Sequence, residues 1–358
     1  MNRSGERHRL VGLQICRGVA ALLVVVYHGG RMVALPQYAG YVPLGNAFAF
    51  GHAGVDFFFV LSGLIITLVH GGDVGRPGLL ARYLWRRLIR IYPIYWMVTA
   101  AVTAGGLFAG HSYSFFGLAA SALLIPHEDG PILGVAWTLE HEMLFYGLFA
   151  LAIWRRQLVA PLVATALLLM VLALYPPWRE IAALRFLGHP CHLQFLMGVG
   201  AALIVRNRPV RAPYCLAAVG AGGFLLVGIG EDGGVFASGS LTETVLFGLA
   251  SAMLLVGLVA AERSGRLRPK ASAAMLGAAS YSIYLIHTVV IGALAHLLAT
   301  CGVLAYFPGW ALLVVVGAAA VAAGLALHVV VEAPLMLRLS GRRLQPPRDA
   351  VRRVPVGF

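Results

Sequence analysis

The feature that most constrains this chain is a succession of apolar segments, each about as long as a membrane span. A spanning helix needs about 20 predominantly apolar residues. Ten segments meet or approach that length, at roughly 10–30, 50–70, 88–109, 133–153, 158–175, 190–206, 213–230, 242–261, 275–299 and 309–331. Charged residues make up only 11% of the 358 residues, against about 25% in an ordinary globular domain. The sequence therefore predicts an all-α, polytopic bundle of about ten transmembrane helices and excludes a cytosolic enzyme.

The basic residues lie between these apolar segments and predict how the chain is oriented. With ten spans and a cytoplasmic N-terminus, 23 of the 27 basic residues fall on the inside. Because positive charge favours the cytoplasmic side, we expect both termini to be cytoplasmic. A further apolar run, 115–125, is about half a span long, and counting it as a span would place most of these arginines outside. We expect this run to lie in the interface, to re-enter or to pack on the bundle.

The remaining composition bears on domains and partners. We expect a membrane domain over 1–337 and a basic cytoplasmic tail over 338–358 near lipid headgroups. The net charge of +13 does not indicate nucleic-acid binding, because no segment joins dense basic charge to a polar, aromatic-bearing surface. The four cysteines have no paired spacing, and no HExxH or Cys-His spacing in the sequence supports a metal site, so none is predicted. The expected surroundings are the lipid bilayer, and the oligomeric state is left open.

Ionisable residues inside the apolar segments are the candidates for function. Each costs about 2.5–3.5 kcal/mol on insertion scales. Arg17 and His28 share the first segment and are eleven residues apart, about three helical turns, so they lie on one face. For either residue alone, snorkelling towards the nearer membrane surface is as good an explanation as a functional role. Their common face favours a shared polar lumen.

The second and third segments carry polar groups that have competing structural explanations. For Asp56 we favour an interhelical hydrogen bond or a local ion pair that locks the bundle, with catalysis as the alternative. Ser62 and Gly63 are interpreted as residues of close helix packing. Arg87 and Arg90 satisfy the positive-inside rule at the cytoplasmic mouth of the third span, yet their spacing on one face also suits phosphate binding.

The fourth segment is harder to explain by structure alone. Glu140 and Glu142 flank an imidazole within one helical turn near the outer side, and Glu142 is the deeper carboxylate. Among the later segments, His287 follows a serine- and tyrosine-containing run. His296 and His328 stand alone in apolar runs and are interpreted as core histidines with satisfied hydrogen bonds.

Six motifs, in chain order and spanning essentially the whole chain, resemble the acyltransferase-3 family of bacterial integral-membrane O-acyltransferases. They are Arg17-x10-His28, Phe57-Phe58-Phe59-Val60-Leu61-Ser62-Gly63, Arg87-x-x-Arg90 before Tyr92-Pro93, Trp137-Thr138-Leu139-x-x-Glu142-x-x-Phe145-Tyr146, Ser280-Tyr281-Ser282-Ile283-Tyr284-Leu285-Ile286-His287 and Glu332-x-Pro334-Leu335. The chain resembles the stand-alone members, which have no appended hydrolase-like domain. The Trp-Thr-Leu-x-x-Glu form is most similar to members that act on exopolysaccharide.

The resemblance implies an enzyme of the bacterial inner (cytoplasmic) membrane. Such an enzyme moves an acyl group, most often acetyl, from cytoplasmic acyl-CoA to a hydroxyl of a surface polysaccharide, another glycan or a lipid-linked sugar. Acetyl-CoA or another acyl-CoA is the implied co-substrate, and no metal is implied. Related members acylate macrolide sugars, so a small-molecule glycoside is an alternative acceptor. A transporter or flippase of lipid-linked sugars, with the same charges forming a substrate or proton path, is the alternative from another class.

The resemblance also implies roles for individual residues. We expect His28 to be the general base that takes the proton of the acceptor hydroxyl, with Glu142 orienting and charge-stabilising its imidazole. Asp56 is a further catalytic candidate. Direct transfer and transfer through an acyl-histidine both remain open.

The remaining candidates are binding residues. We expect Arg87 and Arg90 to hold the CoA phosphates and Arg17 to lie deeper along the pantetheine path. The candidate substrate-binding residues are His287, Trp137 and Tyr146.

Overall fold

The computed structural model describes residues 10–175, 178–265 and 274–339, and all regular secondary structure there is helical. The helices are α1 Val11–Val33, α2 Gly54–His70, α3 Leu80–Phe108, α4 Phe115–Leu123, α5 Trp137–Trp154, α6 Val159–Leu172, α7 Ala182–Leu187, α8 Cys191–Asn207, α9 Pro213–Asp232, α10 Leu241–Arg263, α11 Met275–Ala278, α12 Ser280–Thr300, α13 Gly309–Leu327 and α14 Ala333–Leu339. A π-helical turn, His328–Glu332, joins the last two. The expected all-α fold is confirmed. The expected basic tail lies, from residue 340 onward, outside the described residues.

Eight helical segments of the described chain are long and apolar enough to cross a membrane. They are Val11–Val33, Ala49–His70, Pro77–Phe108, Ala182–Asn207, Pro213–Asp232, Leu241–Arg263, Ser280–Thr300 and Gly309–Leu339. The other two expected spans correspond to α5, which has 18 residues and two glutamates, and to α6, which has 14 residues. The protein is therefore a multi-pass helical membrane protein. The count of ten spans and the cytoplasmic position of the termini remain predictions.

The short apolar run 115–125 forms α4, which packs on α3. Its nine residues rise only about 14 Å, less than half of the roughly 30 Å hydrocarbon core. Three aromatic side chains of α3 donate hydrogen bonds to the carbonyls of the last three residues of α4. These donors are Tyr92, Tyr95 and Trp96, at 2.9, 2.5 and 2.7 Å. The free carbonyls at the end of a helix need such partners, so α3 holds α4 in place.

Five helices surround a central cavity, and α8, α9, α10 and α13 pack against some of them from outside. The cavity walls come from α1, α2, α3, α5 and α12. Apolar side chains of α8, α9 and α10 form a buried cluster with α1 and α2, while α13 packs in another cluster with α1 and α12. The cavity therefore has a packed framework on two sides.

Glycines allow α2 and α8 to approach closely behind the cavity. A Cβ atom added to Gly63 would lie 2.1 Å from the carbonyl oxygen of Phe195, and one added to Gly198 would lie 2.0 Å from that of Val60. Small residues at such crossings let two backbones touch. Gly63 is thus a packing residue, as its sequence context predicted.

Candidate active site

Three arginines reach the central cavity, from two different helices. Arg17 comes from α1, and Arg87 and Arg90 come from α3. The opposite walls contribute Ser62, Glu142 and Tyr146 together with aromatic rings of α2 and α12. The three arginines that the sequence assigned to a donor-binding path therefore share one cavity.

Two of these arginines have no hydrogen-bond or ion-pair partner in the part of the chain that the structure describes. Neither Arg17 nor Arg87 forms a hydrogen bond or ion pair with a described residue, and the Nε atom of each is buried without a partner. The guanidinium of Arg87 instead lies 5.8 Å from the ring centre of Tyr83 and 5.5 Å from that of Tyr146. Buried cationic donors without partners are costly, and an anion in the cavity would satisfy them.

Arg90 differs, because it forms an ion pair with a buried glutamate. Its Nη1 lies 2.6 Å from Oε1 of Glu332, whose side chain is 1% exposed. The other oxygen of Glu332 accepts a hydrogen bond from Ser282 at 2.7 Å and contacts Nδ1 of His328 at 2.8 Å. The sequence interpretation of His328 as a satisfied core histidine agrees with this contact. Arg90 therefore lines the cavity with its charge already balanced.

Glu142 faces this same cavity. Its Oε1 accepts hydrogen bonds from Ser62 Oγ, at 3.3 Å, and from the hydroxyl of Tyr146 one turn along α5. No hydrogen bond joins Glu142 to His28 in the described part of the chain. The structure therefore does not bring Glu142 into contact with His28, because α5 places its carboxylate against Ser62 and Tyr146.

The partner of His28 is another histidine. Nδ1 of His28 lies 3.0 Å from the carbonyl oxygen of Val24 and 3.2 Å from Nε2 of His287. Nδ1 of His287 lies 2.6 Å from the carbonyl oxygen of Tyr284. The Tyr284 side chain lines the cavity, so the histidine pair adjoins it.

These contacts fix the positions of the ring protons. A carbonyl oxygen only accepts hydrogen bonds, so in each ring Nδ1 carries the proton. In the neutral His287 ring, Nε2 then accepts from Nδ1–H of His28. Nε2 of His28 keeps a free lone pair and has no hydrogen-bond partner among the described residues. A positioned imidazole with one bare nitrogen has the form of a general base.

Asp56 lies in a separate polar cluster at the N-terminal end of α2. It accepts a hydrogen bond from Nε2 of Gln194, on α8. His52, one turn earlier, contacts Glu231 at 2.7 Å and Glu243 at 3.6 Å. The bond from α8 to Asp56 agrees with the interhelical role favoured from the sequence, and Asp56 is not brought into contact with His28.

Trp137 lies at the start of α5 with 38% of its surface exposed. Its ring packs edge-on against Phe59 and His141, at 6.2 and 5.7 Å between ring centres. The neighbouring Thr138 lines the cavity. Trp137 itself contacts aromatic side chains beside the cavity.

Comparison with known proteins decides the family. The family model described as "Acyltransferase domain" matches residues 10–329. The chain belongs to this acyltransferase family. It is 30% identical over 313 residues, 84% of this chain and 94% of the relative, to the exopolysaccharide production protein ExoZ of Rhizobium meliloti (strain 1021). It is 28% identical over 381 residues, 94% of this chain and 93% of the relative, to the acyltransferase MdmB of Streptomyces mycarofaciens. No solved structure gives a significant match.

Some groups in this acyltransferase were not identified from the sequence. Ser62 was interpreted as a packing residue, yet it donates to Glu142 at the cavity wall. Glu231 and Glu243 were not singled out, although they lie at the ends of α9 and α10 and both contact His52. A carboxylate at the end of a span has little insertion cost, so only the tertiary structure shows their contact with His52.

Proposed function

We propose that the protein is a membrane O-acyltransferase that moves an acyl group, acetyl first among the candidates, from acyl-CoA to a glycan hydroxyl. The observation that carries the proposal is the histidine pair of His28 and His287 beside a cavity with two unpaired arginines. A base next to an anion-binding cavity is what transfer from an anionic thioester to a hydroxyl requires. Membership of an acyltransferase family supports covalent transfer over the alternative of a transporter of lipid-linked sugars.

The donor is proposed to bind through the unpaired arginines. Arg17 and Arg87 offer guanidinium donors that have no hydrogen-bond partner among the described residues, and such groups bind phosphate oxygens with charge-assisted hydrogen bonds. Arg90 is held by Glu332 and is proposed to contribute less. The rings around Arg87 support its position, and the aromatic cavity wall accommodates the pantetheine arm and the acyl chain.

The transfer step is proposed to use Nε2 of His28. This nitrogen takes the proton of the acceptor hydroxyl while the hydroxyl oxygen bonds to the thioester carbonyl carbon. The C–S bond then breaks, and the imidazolium returns its proton to the leaving CoA sulfur. The Nδ1–H bond from His28 to His287 strengthens as the first ring becomes positive. His287 thus takes the positioning role first assigned to Glu142.

The acceptor is proposed to be a surface polysaccharide or its lipid-linked precursor at a bacterial inner membrane. This proposal rests on similarity to a relative named for exopolysaccharide production, which covers 84% of the chain. The relative named only as an acyltransferase keeps open a small-molecule glycoside as the alternative acceptor. A polar cluster at the start of α2, with His52, Glu231 and Glu243, provides hydrogen-bonding groups for a sugar.

The test uses membranes that contain matched amounts of the wild-type protein, His28→Ala or His296→Ala. His296, interpreted from the sequence as a core histidine, is instead exposed on α12 and serves as the control. Acetyl-CoA labelled in the acetyl group is added, and label in the glycolipid and polysaccharide fraction is measured together with released CoA. Transfer by wild type and His296→Ala but not by His28→Ala supports the proposal. Equal transfer by all three keeps the enzyme and removes His28 from the chemistry. Sugar movement without covalent change favours the transporter.

A further inference from the structure

Another cluster of ionisable side chains, separate from those described above, lies behind the cavity wall between α5 and α8. His141 of α5 and Cys191 and His192 of α8 each direct one ligand atom to a common region, where these atoms lie within 4.8 Å of one another. His141 and Cys191 are buried, at 4% and 2% exposed. The proposed transfer mechanism does not use any of the three. Their position in the bundle therefore needs another explanation.

The two imidazoles already present nitrogen atoms to each other. Nδ1 of His141 lies 3.0 Å from Nε2 of His192. Nδ1 of His192 lies 2.9 Å from the carbonyl oxygen of Leu187, which can only accept, so this nitrogen carries a proton and Nε2 is bare. A backbone carbonyl that fixes the tautomer in this way is the usual outer-shell partner of a metal-binding histidine.

The spacing suits a small metal ion. Metal–nitrogen bonds of about 2.0–2.1 Å at tetrahedral angles separate two ligand nitrogens by about 3.3 Å. The pair at 3.0 Å therefore needs to open by only about 0.3 Å. His189 stays outside the ligand set, because its Nδ1 accepts the backbone N–H of Cys191 at 3.2 Å. Three protein ligands result, two imidazole nitrogens and one sulfur.

We propose that His141, Cys191 and His192 form a binding site for a thiophilic d10 cation, Cu⁺ or Zn²⁺. A thiolate with imidazoles selects these ions over Mg²⁺ and Ca²⁺, which take oxygen ligands. On binding, the Cys191 thiol releases its proton to solvent, and the neutral His141 ring moves its proton from Nδ1 to Nε2. One thiolate balances Cu⁺ fully and leaves one positive charge with Zn²⁺, which a bound hydroxide neutralises. Such balance matters in a buried site.

The site would join two helices of the cavity framework. Thr138 and Glu142, which flank His141 on α5, line the cavity, while the ring of His141 faces α8 and stacks on Phe186 with 4.3 Å between ring centres. A metal bound here fixes the rotation of α5. The sequence shows no motif for this site, because its ligands come from two segments 50 residues apart.

The test measures metal content in the full-length protein, purified in detergent under reducing conditions after incubation with Cu⁺ or Zn²⁺ and removal of free metal. Wild type is compared with Cys191→Ser and with Cys215→Ser, which changes an exposed cysteine of α9. We expect stoichiometric copper or zinc in wild type and Cys215→Ser and near-complete loss in Cys191→Ser. Absence of both metals from wild type, or equal content in all three proteins, would overturn the proposal.

A spectroscopic measurement keeps the test decisive if Cys191→Ser folds poorly. Co²⁺ is added to wild type, His141→Gln and His296→Gln, each recovered as a single species on size exclusion. Sulfur-to-cobalt charge-transfer absorption in the near ultraviolet is expected in wild type and in His296→Gln, and it is expected to weaken strongly in His141→Gln. The absence of this band from folded wild type shows that Cys191 does not bind metal in this way.

Discussion

Two histidine pairs in this protein have nearly the same geometry and different surroundings. His28 and His287 are joined across α1 and α12 at 3.2 Å, and His141 and His192 across α5 and α8 at 3.0 Å. In both pairs a backbone carbonyl fixes one ring tautomer. The first pair leaves Nε2 of His28 without a described partner and adjoins the arginine-lined cavity through Tyr284. The second pair has the Cys191 thiol within 4.8 Å of its ligand nitrogens. On the two proposals made above, the group next to each histidine pair decides whether the pair transfers a proton or binds a metal.

The largest expected difference between the pairs is in turnover. A positioned general base contributes about 10²–10⁴-fold, so His28→Ala is expected to lower kcat by about that factor. His141→Gln is expected to keep most of its turnover per folded molecule, because this ring faces away from the cavity. Steady-state acyl transfer, normalised to folded protein, measures both. Equal losses of kcat in the two variants would contradict the different roles proposed for the two pairs.

The next effect concerns the positioning role of His287. A hydrogen bond to a charged group contributes about 1.5–3 kcal/mol, so His287→Ala is expected to lower kcat by about 10- to 150-fold. The KM for acyl-CoA should stay unchanged, because the arginines remain. His287→Gln offers an amide oxygen that can accept from His28 and should recover part of the rate. Loss of rate in both variants together with a raised KM would instead indicate a structural role.

A smaller effect is expected for donor binding. Arg87 is buried beneath two tyrosine rings, while the adjacent Arg86 is exposed. Arg87→Ala is expected to raise the KM for acyl-CoA about tenfold, the lower end of the range for a hydrogen bond to a charged group. Arg86→Ala is the matched control and should leave KM unchanged. The same kinetic series measures both, and equal KM values would place the donor phosphates elsewhere.

The smallest effect on activity is expected from a substitution at the crossing of α2 and α8, which supports the bundle behind the cavity. Gly63→Ala places a methyl group 2.1 Å from the carbonyl oxygen of Phe195, and such overpacking typically costs about 1–3 kcal/mol. We expect lower thermal stability with near-normal turnover in the folded fraction. Gly147→Ala, where an added Cβ meets no atom within 4 Å, is the control. A thermal melt in detergent separates the two, and equal melting temperatures would contradict the close crossing of α2 and α8.

The helical membrane fold was predictable from the sequence, and so was the placement of Arg17 and His28 on one face of the first span. Both depend on local properties, the length of an apolar segment and the helical period of 3.6 residues. Arg17 reaches the cavity and His28 lies beside it through His287, consistent with the shared face of α1. Asp56 and His328 were also interpreted in line with the contacts they make. The motifs further indicated the acyltransferase family, which the match over residues 10–329 shows.

The partner of each polar group was decided only by the tertiary structure. His28 meets His287, 259 positions away, and Glu142 meets Ser62, 80 positions away. Such pairings depend on how far each helix is rotated and shifted against its neighbours, which packing contacts such as Gly63 against α8 determine. Local periodicity places a side chain on a helix face, and only the assembled bundle determines which group that face meets.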